Sequence, residues 1–314
     1  MAGSRKSHQV QKKKKTPVRT RFRRRLLSCL LVLLTVPAGA ALGVGAYLLW
    51  FNLLRGQPAP LRQPLFVGVE YQRRVQRSPV PVVHHLVRVR VGTPGLHFFI
   101  TPPRARSGRR LRAQTVSGFL ARHRLRLAVN GDFFEPFRAH GLWDFYPKPG
   151  DPVDVFGMAC SSSRCYGHET PNRPTLYISC AGRPSFHRPA RLCHAISGLP
   201  LLAAGKVHTR LIPGNRHPRT AVAMDRDERQ LILLVVDGRQ PNYSEGVNPG
   251  ELARLMRDAG AHNAINLDGG GSSALVMERD GRPVPLNSPI HTRLVGRQRP
   301  VANHLGLWAP ALPR

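Results

Sequence analysis

The chain has 314 residues, 41% of them hydrophobic, so most of it can build a folded core rather than stay disordered. Its formal net charge of +31 suggests nucleic acid, yet no helix-turn-helix, zinc-finger or RNP pattern accompanies that charge, and no nucleic-acid partner is expected. Residues 1–25 hold eleven Lys or Arg and no acid, and the remainder, whose cations are nearly all Arg, still carries an excess of +20. That excess suits anionic substrates or membrane surfaces, and a compositional bias toward Arg would explain it as well.

Residues 1–25 read as a basic cytoplasmic tail and residues 26–54 as a transmembrane signal anchor. Leu26–Leu54 is 29 residues without a charged side chain, enough to cross a hydrocarbon core of ~30 Å. The preceding basic cluster keeps the N-terminus cytoplasmic and sends the chain beyond Arg55 to the periplasm or the cell exterior. A cleaved signal peptide is the competing reading, with Ala38-Gly39-Ala40 as a small-residue site after Pro37. The apolar character resumes from Leu42 to Leu54, which favours an uncleaved anchor. Residues 55–65 then read as a Pro-rich linker, and residues 66–314 as the exported domain.

Within that domain, His84–Val91 alternates polar and apolar residues as a half-buried strand does, and Gly92–Gly95 is a turn leading into a strand at Leu96–Ile100, a hairpin pattern. Thr115–His123 reads as a helix with Val116, Phe119 and Leu120 on one face, and Leu125–Val129 as a buried strand delivering Asn130. Residues 135–175, rich in Pro, Gly, Ser and Asp, read as long loops. Leu176–Ser179, Leu201–Ala203 and the apolar run Leu231–Val236 are further strands, the last of them central. Asn248, Pro249 and Glu251 form an N-terminal capping pattern for a helix whose stripe is Leu252, Leu255, Met256 and Ala259, ended by Gly260. Ala264–Leu267 and Ser273–Met277 are strands on either side of an Asp268–Gly271 turn. The class expected is α+β, mixed short-stranded sheets with few helices, preceded by one transmembrane helix.

Cys160, Cys165, Cys180 and Cys193 fall within 34 residues, apart from Cys29 in the apolar run. In an exported domain an even number reads as two disulfides, with three possible connectivities, of which Cys160–Cys165 with Cys180–Cys193 is the simplest. A zinc site is the rival, although no C-x2-C pair occurs.

Three strand ends carry polar clusters: Asn130–Phe134, Asp237–Arg239 and Asn266–Ser273 (NLDGGGSS). The run Gly269, Gly270, Gly271 lets a ligand approach the backbone, and its consecutive N–H groups can form an anion nest. Asp268 adds a carboxylate, and Ser272 and Ser273 hydroxyls. Arg219 offers a bidentate grip on phosphate. Ser244 lies just ahead of the capped helix, where backbone N–H groups also face an anion. His217 stands alone and is left outside the catalytic set. Neither a P-loop nor a GxSxG elbow is present.

The ordered set NGDFF (130–134), YPKPGD (146–151), SGLPLLAAG (197–205), HPRTAVA (217–223), VVDGRQPNYSEG (235–246), NLDGGGSSALV (266–276), LNSPIH (286–291) and RPVANHLG (299–306) resembles the phosphodiester glycosidase family. That is the family of the lysosomal uncovering enzyme, and the resemblance is to its bacterial, exopolysaccharide-associated branch. It covers roughly residues 66–310. It implies hydrolysis of the bond between a sugar anomeric carbon and a phosphate oxygen, with no required cofactor. On that reading Asp268 and Asp237 are the two catalytic carboxylates, and Arg219 and Arg239 hold the phosphate with the glycine N–H groups. Asn130, Asn266, Ser244 and Ser272 complete the substrate contacts. The partner expected is a glycosyl phosphodiester or an anionic polysaccharide. Two rivals remain at this point: a non-catalytic polysaccharide-binding module, and a phosphodiesterase with a divalent cation on Asp268 and Asp237.

Overall fold

The computed structural model describes residues 18–104, 111–209, 211 and 214–313; positions 1–17 of the expected basic tail lie outside the described residues. The chain divides into two compact units, Met1–Leu54 and Arg55–Arg314. In the first, helix α1 (Val18–Leu49) continues into a wider π turn at Trp50–Leu54. Its Leu26–Leu54 run has a mean hydropathy of 2.2 and no burial, so by length and composition it can cross a membrane.

The second unit is built on an eight-stranded sheet in the order Leu61–Phe66, Val69–Gln76, Val82–Arg90, Gln230–Val236, Arg219–Met224, Asn263–Asn266, Leu199–Ala203 and Lys206–Val207. The apolar run at 231–236 is at its centre. Leu231, Leu233 and Val235 face one core, while Ile232, Leu234 and Val236 face another. A strand buried on both faces has no polar alternation to show, hence the unbroken run.

The outer of those cores is closed by α3 (Pro249–Asp258). Asn248 accepts from the Glu251 N–H while the Glu251 carboxylate accepts from the Asn248 N–H, completing the capping box. Leu252 and Met256 are fully buried under it. The inner core lies against a five-stranded sheet ordered Arg282–Pro285, Leu275–Arg279, Leu127–Asn130, His304–Trp308, His97–Ile100. Leu127, Val129, Leu275 and Leu305 meet the first sheet, and Ala128 and Val276 pack beneath α2 (Val116–His123), capped by Thr115. The layers therefore run helix, sheet, sheet, helix. Another five-stranded sheet contributes Leu176, Ile178 and Ile196 to the inner core. This is the expected α+β class, mostly strands with few helices.

Three local expectations change. The Gly92–Gly95 turn does not close a hairpin: His97–Ile100 pairs with His304–Trp308 in the second sheet. The turn carries the chain across the core, and local pattern carries no information about a strand's partner. Residues 135–175 contain short paired strands, among them Pro152–Val155 and Ala159–Ser161. The 55–65 segment is part of the folded unit rather than a free linker. The Gln57 side chain donates to the carbonyls of Gln76 and Tyr243, and Arg73 donates to the Ala59 carbonyl. Arg55 bonds Ser288 and lies 4.0 Å over the Tyr243 ring.

Cys160–Cys165 and Cys180–Cys193 are disulfides, so these thiols are not zinc ligands. The second bridge ties strands 13 residues apart in sequence. Replacing Cys180 and Cys193 together by Ser is expected to lower unfolding stability by roughly 2–4 kcal/mol. Urea denaturation of the oxidised protein measures this, and an unchanged midpoint would contradict it.

Candidate active site

The polar strand ends converge because of register. Arg219 pairs with Val236 and Ala221 with Asn266, so Arg219, Asp237 and Asp268 emerge at one end of the eight-stranded sheet. NLDGGGSS does not turn back into a hairpin. It leaves the first sheet at Asn266 and enters the second at Leu275, bridging the two layers. A short 3-10 turn at Gly270–Ser272 makes the crossing.

Asn130 holds that crossing from below. Its amide nitrogen donates to the Asp268 carbonyl at 2.7 Å. Its oxygen accepts from the Thr220 hydroxyl at 2.8 Å and the Ala274 N–H at 3.2 Å. The Asp268 N–H donates to the Gly131 carbonyl at 2.9 Å. Gly131 is required there, since a Cβ would lie 2.2 Å from the Asn303 side chain. Asn130 is completely buried. In this position its side chain is bonded to the loop and to the neighbouring strand.

Asp268 is half-buried at the top of the crossing. One carboxylate oxygen accepts from the Gly269 N–H at 2.8 Å and the other from the Ser272 hydroxyl at 2.5 Å. Each oxygen has a second lone pair for another partner. Burial raises this carboxyl above its ordinary range, opposed first by the Arg299 charge, then by Ser272, Gly269 and Arg239.

Two of the three glycines make room for arginines and the third for a backbone carbonyl. A Cβ on Gly271 would lie 2.7 Å from the Arg299 guanidinium, and one on Gly270 3.0 Å from that of Arg239. On Gly269 it would meet the Pro218 carbonyl at 2.8 Å and the Arg219 Cδ at 3.6 Å. Three cations thus approach one short loop. The N–H groups of Gly269 and Gly270 are bonded to the Asp268 carboxylate and the Pro218 carbonyl. Those two glycines cannot serve the anion nest read from sequence without breaking these bonds.

Each arginine is held differently. Arg299 is buried; it donates to the Ser272 hydroxyl at 3.1 Å and to the Nδ1 of His291 at 3.4 Å. Burial brings it down to about 10, with Asp268 opposing that shift and Arg239 adding to it. Arg219 is half-buried and donates to the carbonyls of Val247 and Asn215. Arg239 is exposed, with its Nε donating to the Nδ1 of His217 at 3.3 Å. That contact needs a neutral imidazole, and burial, Arg239 and Arg219 all push the His217 pKa down.

Other expected residues lie elsewhere. Asp237 is completely buried. One oxygen accepts from the Asn287 amide at 3.0 Å and the Ser288 N–H at 2.8 Å; the other is bonded to His85 at 2.9 Å and Tyr243 at 3.2 Å. With its lone pairs so engaged it braces the loop carrying Arg239. Ser244, also completely buried, bonds the Asp237 carbonyl and the Val83 N–H rather than an anion. Asn266 is buried with its side-chain oxygen unbonded. Among the described residues no group of three or more His, Cys, Asp or Glu gathers to hold a metal.

Arg299 and His291 escaped the sequence reading. Both lie in stretches quoted for the family resemblance, but Arg299 reaches Ser272 across 27 residues, and no local spacing marks that contact. The packing separates two glycines experimentally. In Gly271→Ala the Arg299 side chain must move, so turnover should fall at least tenfold while thermal stability stays nearly constant. Gly246, at φ +92° with a Cβ position 2.4 Å from the His217 backbone, cannot be relieved by a side chain. Gly246→Ala should therefore lower stability by more than about 1 kcal/mol, visible in a melting curve.

Comparison with known proteins bears on the family and the fold. The phosphodiester glycosidase family model matches residues 123–308, more than half of the chain. The N-acetylglucosamine-1-phosphodiester alpha-N-acetylglucosaminidases of Mus musculus and Bos taurus are 49% and 48% identical over 59 residues. That stretch is 19% of this chain and spans only 11% of either relative's length. The catalytic domain of the zebrafish enzyme of that name, solved auto-inhibited by its pro-peptide, superposes with a TM-score of 0.54 at 19% identity, over 80% of this chain and 87% of that one. A hypothetical protein from Synechocystis gives 0.55 at 14% identity, over 80% and 64%. At these identities the structures show a shared fold, and the family match adds the lineage: the chain belongs to the phosphodiester glycosidase family.

Proposed function

We propose that this protein is a membrane-anchored, exported hydrolase that cleaves the bond between a sugar anomeric carbon and a phosphate oxygen in a glycosyl phosphodiester. The observation that carries the reading is Asp268, a partly desolvated carboxylate at a loop approached by Arg219, Arg239 and Arg299. A carboxylate suits the cationic, oxocarbenium-like carbon of glycosyl transfer. Guanidinium groups suit a departing phosphate.

In this scheme the anomeric carbon–oxygen bond breaks and the phosphate monoester leaves with the electron pair. Arg239, the exposed guanidinium, reaches the phosphate first, with Arg219 and Arg299 behind it. Their charge lets phosphate leave without a strong general acid. Asp268 faces the anomeric carbon, directly or through the water that it deprotonates. The water oxygen ends on the sugar and its proton passes through Asp268 to solvent. Ser272 fixes one carboxylate oxygen, and Asn266, whose side-chain oxygen is unbonded, takes a sugar hydroxyl. Asp237 and Asn130 act through the loops they hold.

The two disulfides fit an oxidising compartment, and the Leu26–Leu54 run fits a single-pass anchor with a cytoplasmic N-terminus. Together they support a domain that works outside the cytoplasm, and cell-surface polysaccharide metabolism is the setting we propose for it.

Turnover of glycosyl phosphodiesters in 18O-labelled water tests the reaction. Label in the sugar is expected. Label in phosphate would make the protein a phosphodiesterase, and no turnover with retained binding would make it a binding module. Asp268→Asn should lower kcat by ~100-fold or more. Because burial raises the Asp268 carboxyl, activity should be lost on acidification at a pH above the ordinary carboxylate range. Arg299 opposes that rise, so Arg299→Gln should move the acid limb of the pH profile further upward. A limb that stays in place would remove Asp268 from the ionisation that limits the rate.

A further inference from the structure

The segment from Phe137 to Tyr146 is a β-hairpin, Arg138–Ala139 paired with Phe145–Tyr146, which packs Tyr146 against a small core cluster and leaves other aromatic side chains outside it. Trp143, at its tip, is 81% exposed and Phe137, at its base, 49% exposed. Exposed aromatics of this size mark a contact surface when they adjoin a site.

These do adjoin it. The Arg299 guanidinium lies 4.3 Å from the Phe137 ring centre and donates to Ser272, which in turn bonds Asp268. The other strand is fixed to the same wall. Phe145 packs edge-on to His291 at 4.9 Å, and Arg297 lies 4.5 Å over Phe145 while donating to the Leu142 carbonyl. The hairpin is therefore anchored at its base to the elements that carry Arg299. Its tip is braced by Asp144, which pairs with Arg138 at 3.0 Å and His140 at 3.2 Å.

We propose that this hairpin is the saccharide-recognising arm of the site, with Phe137 and Trp143 offering ring faces to the C–H faces of pyranose units. The proposal rests on the glycosyl phosphodiester reading above. Arginines provide for the phosphate, and a phosphate has no use for exposed aromatic faces. A pyranose has both hydroxyls and an apolar C–H face, and it fits a rim where aromatic rings alternate with Arg138, His140 and Asp144. Two such rings, one at the base and one at the tip, suit a substrate carrying more than one sugar.

Calorimetric titration of the full detergent-solubilised chain with UDP-N-acetylglucosamine, UDP-glucose and UDP-galactose tests this, with UDP as the control that lacks the sugar and keeps a free terminal phosphate. Trp143 is exposed, so its replacement leaves the core intact. Trp143→Ala should weaken at least one nucleotide sugar about five- to tenfold and leave UDP unchanged, while Trp143→Phe should retain the wild-type affinity. Equal loss for UDP, no loss for any nucleotide sugar, or no binding of any of them by the wild type would overturn the proposal. Failure of the reaction assignment is seen separately in labelled water, since sugar discrimination by Trp143 does not depend on which bond is cut.

Discussion

The side-chain amide of Asn130 joins the two sheets at the point where the Asp268 loop crosses between them. It sits at the end of a strand in one sheet, accepts from Thr220 in the other, and donates to the backbone of Asp268. In a fully buried position such bonds are strong, and losing one partner costs the desolvation of the other. The height of Asp268 above the sheets follows from this amide. So does the approach of Arg219, which begins the strand containing Thr220.

Around that fixed carboxylate the architecture concentrates cations, and small residues permit it. Guanidinium groups are wide, and those of Arg239 and Arg299 fit beside the loop because positions 270 and 271 lack side chains. The mutual repulsion of the arginines and their burial are opposed by Asp268, the charge that raises the pKa of all three. The carboxylate is in turn kept from a still higher pKa by Arg299 and Arg239. Neither sign of charge is comfortable there alone, and a bound phosphate would relieve the surplus of positive charge. A site under that electrostatic tension is the usual signature of a functional centre.

The second carboxylate expected from sequence, Asp237, has surroundings that sequence alone does not show. It follows a core strand, as a catalytic residue does, and is two residues from a site arginine. Four donors surround it, however, from His85, Tyr243, Asn287 and Ser288. Its work is to hold the turn at 238–245, which places Arg239 at a positive φ of 58°. The same network reaches Arg55 through Ser288, and so the segment just beyond the apolar run is bound into the loops behind the site.

Much of this was legible in the chain itself. The capped helix at 249–258 and the central run at 231–236 follow from short-range rules, capping and burial on two faces, and the simplest of three cysteine pairings is the one the fold adopts. The ordered motifs likewise pointed to the family and to the Asp268 loop. What local pattern could not decide was pairing and direction. Whether His97–Ile100 folds back or crosses the core, and whether Asn130 and Asp237 face inward or outward, depend on strands distant in sequence. Arg299 gained its place beside Asp268 in the same way, through a long-range contact across Gly271. Residue type and spacing determined which groups were present at the strand ends; the packing of two sheets decided which of them reach solvent, because only there do burial and register act together.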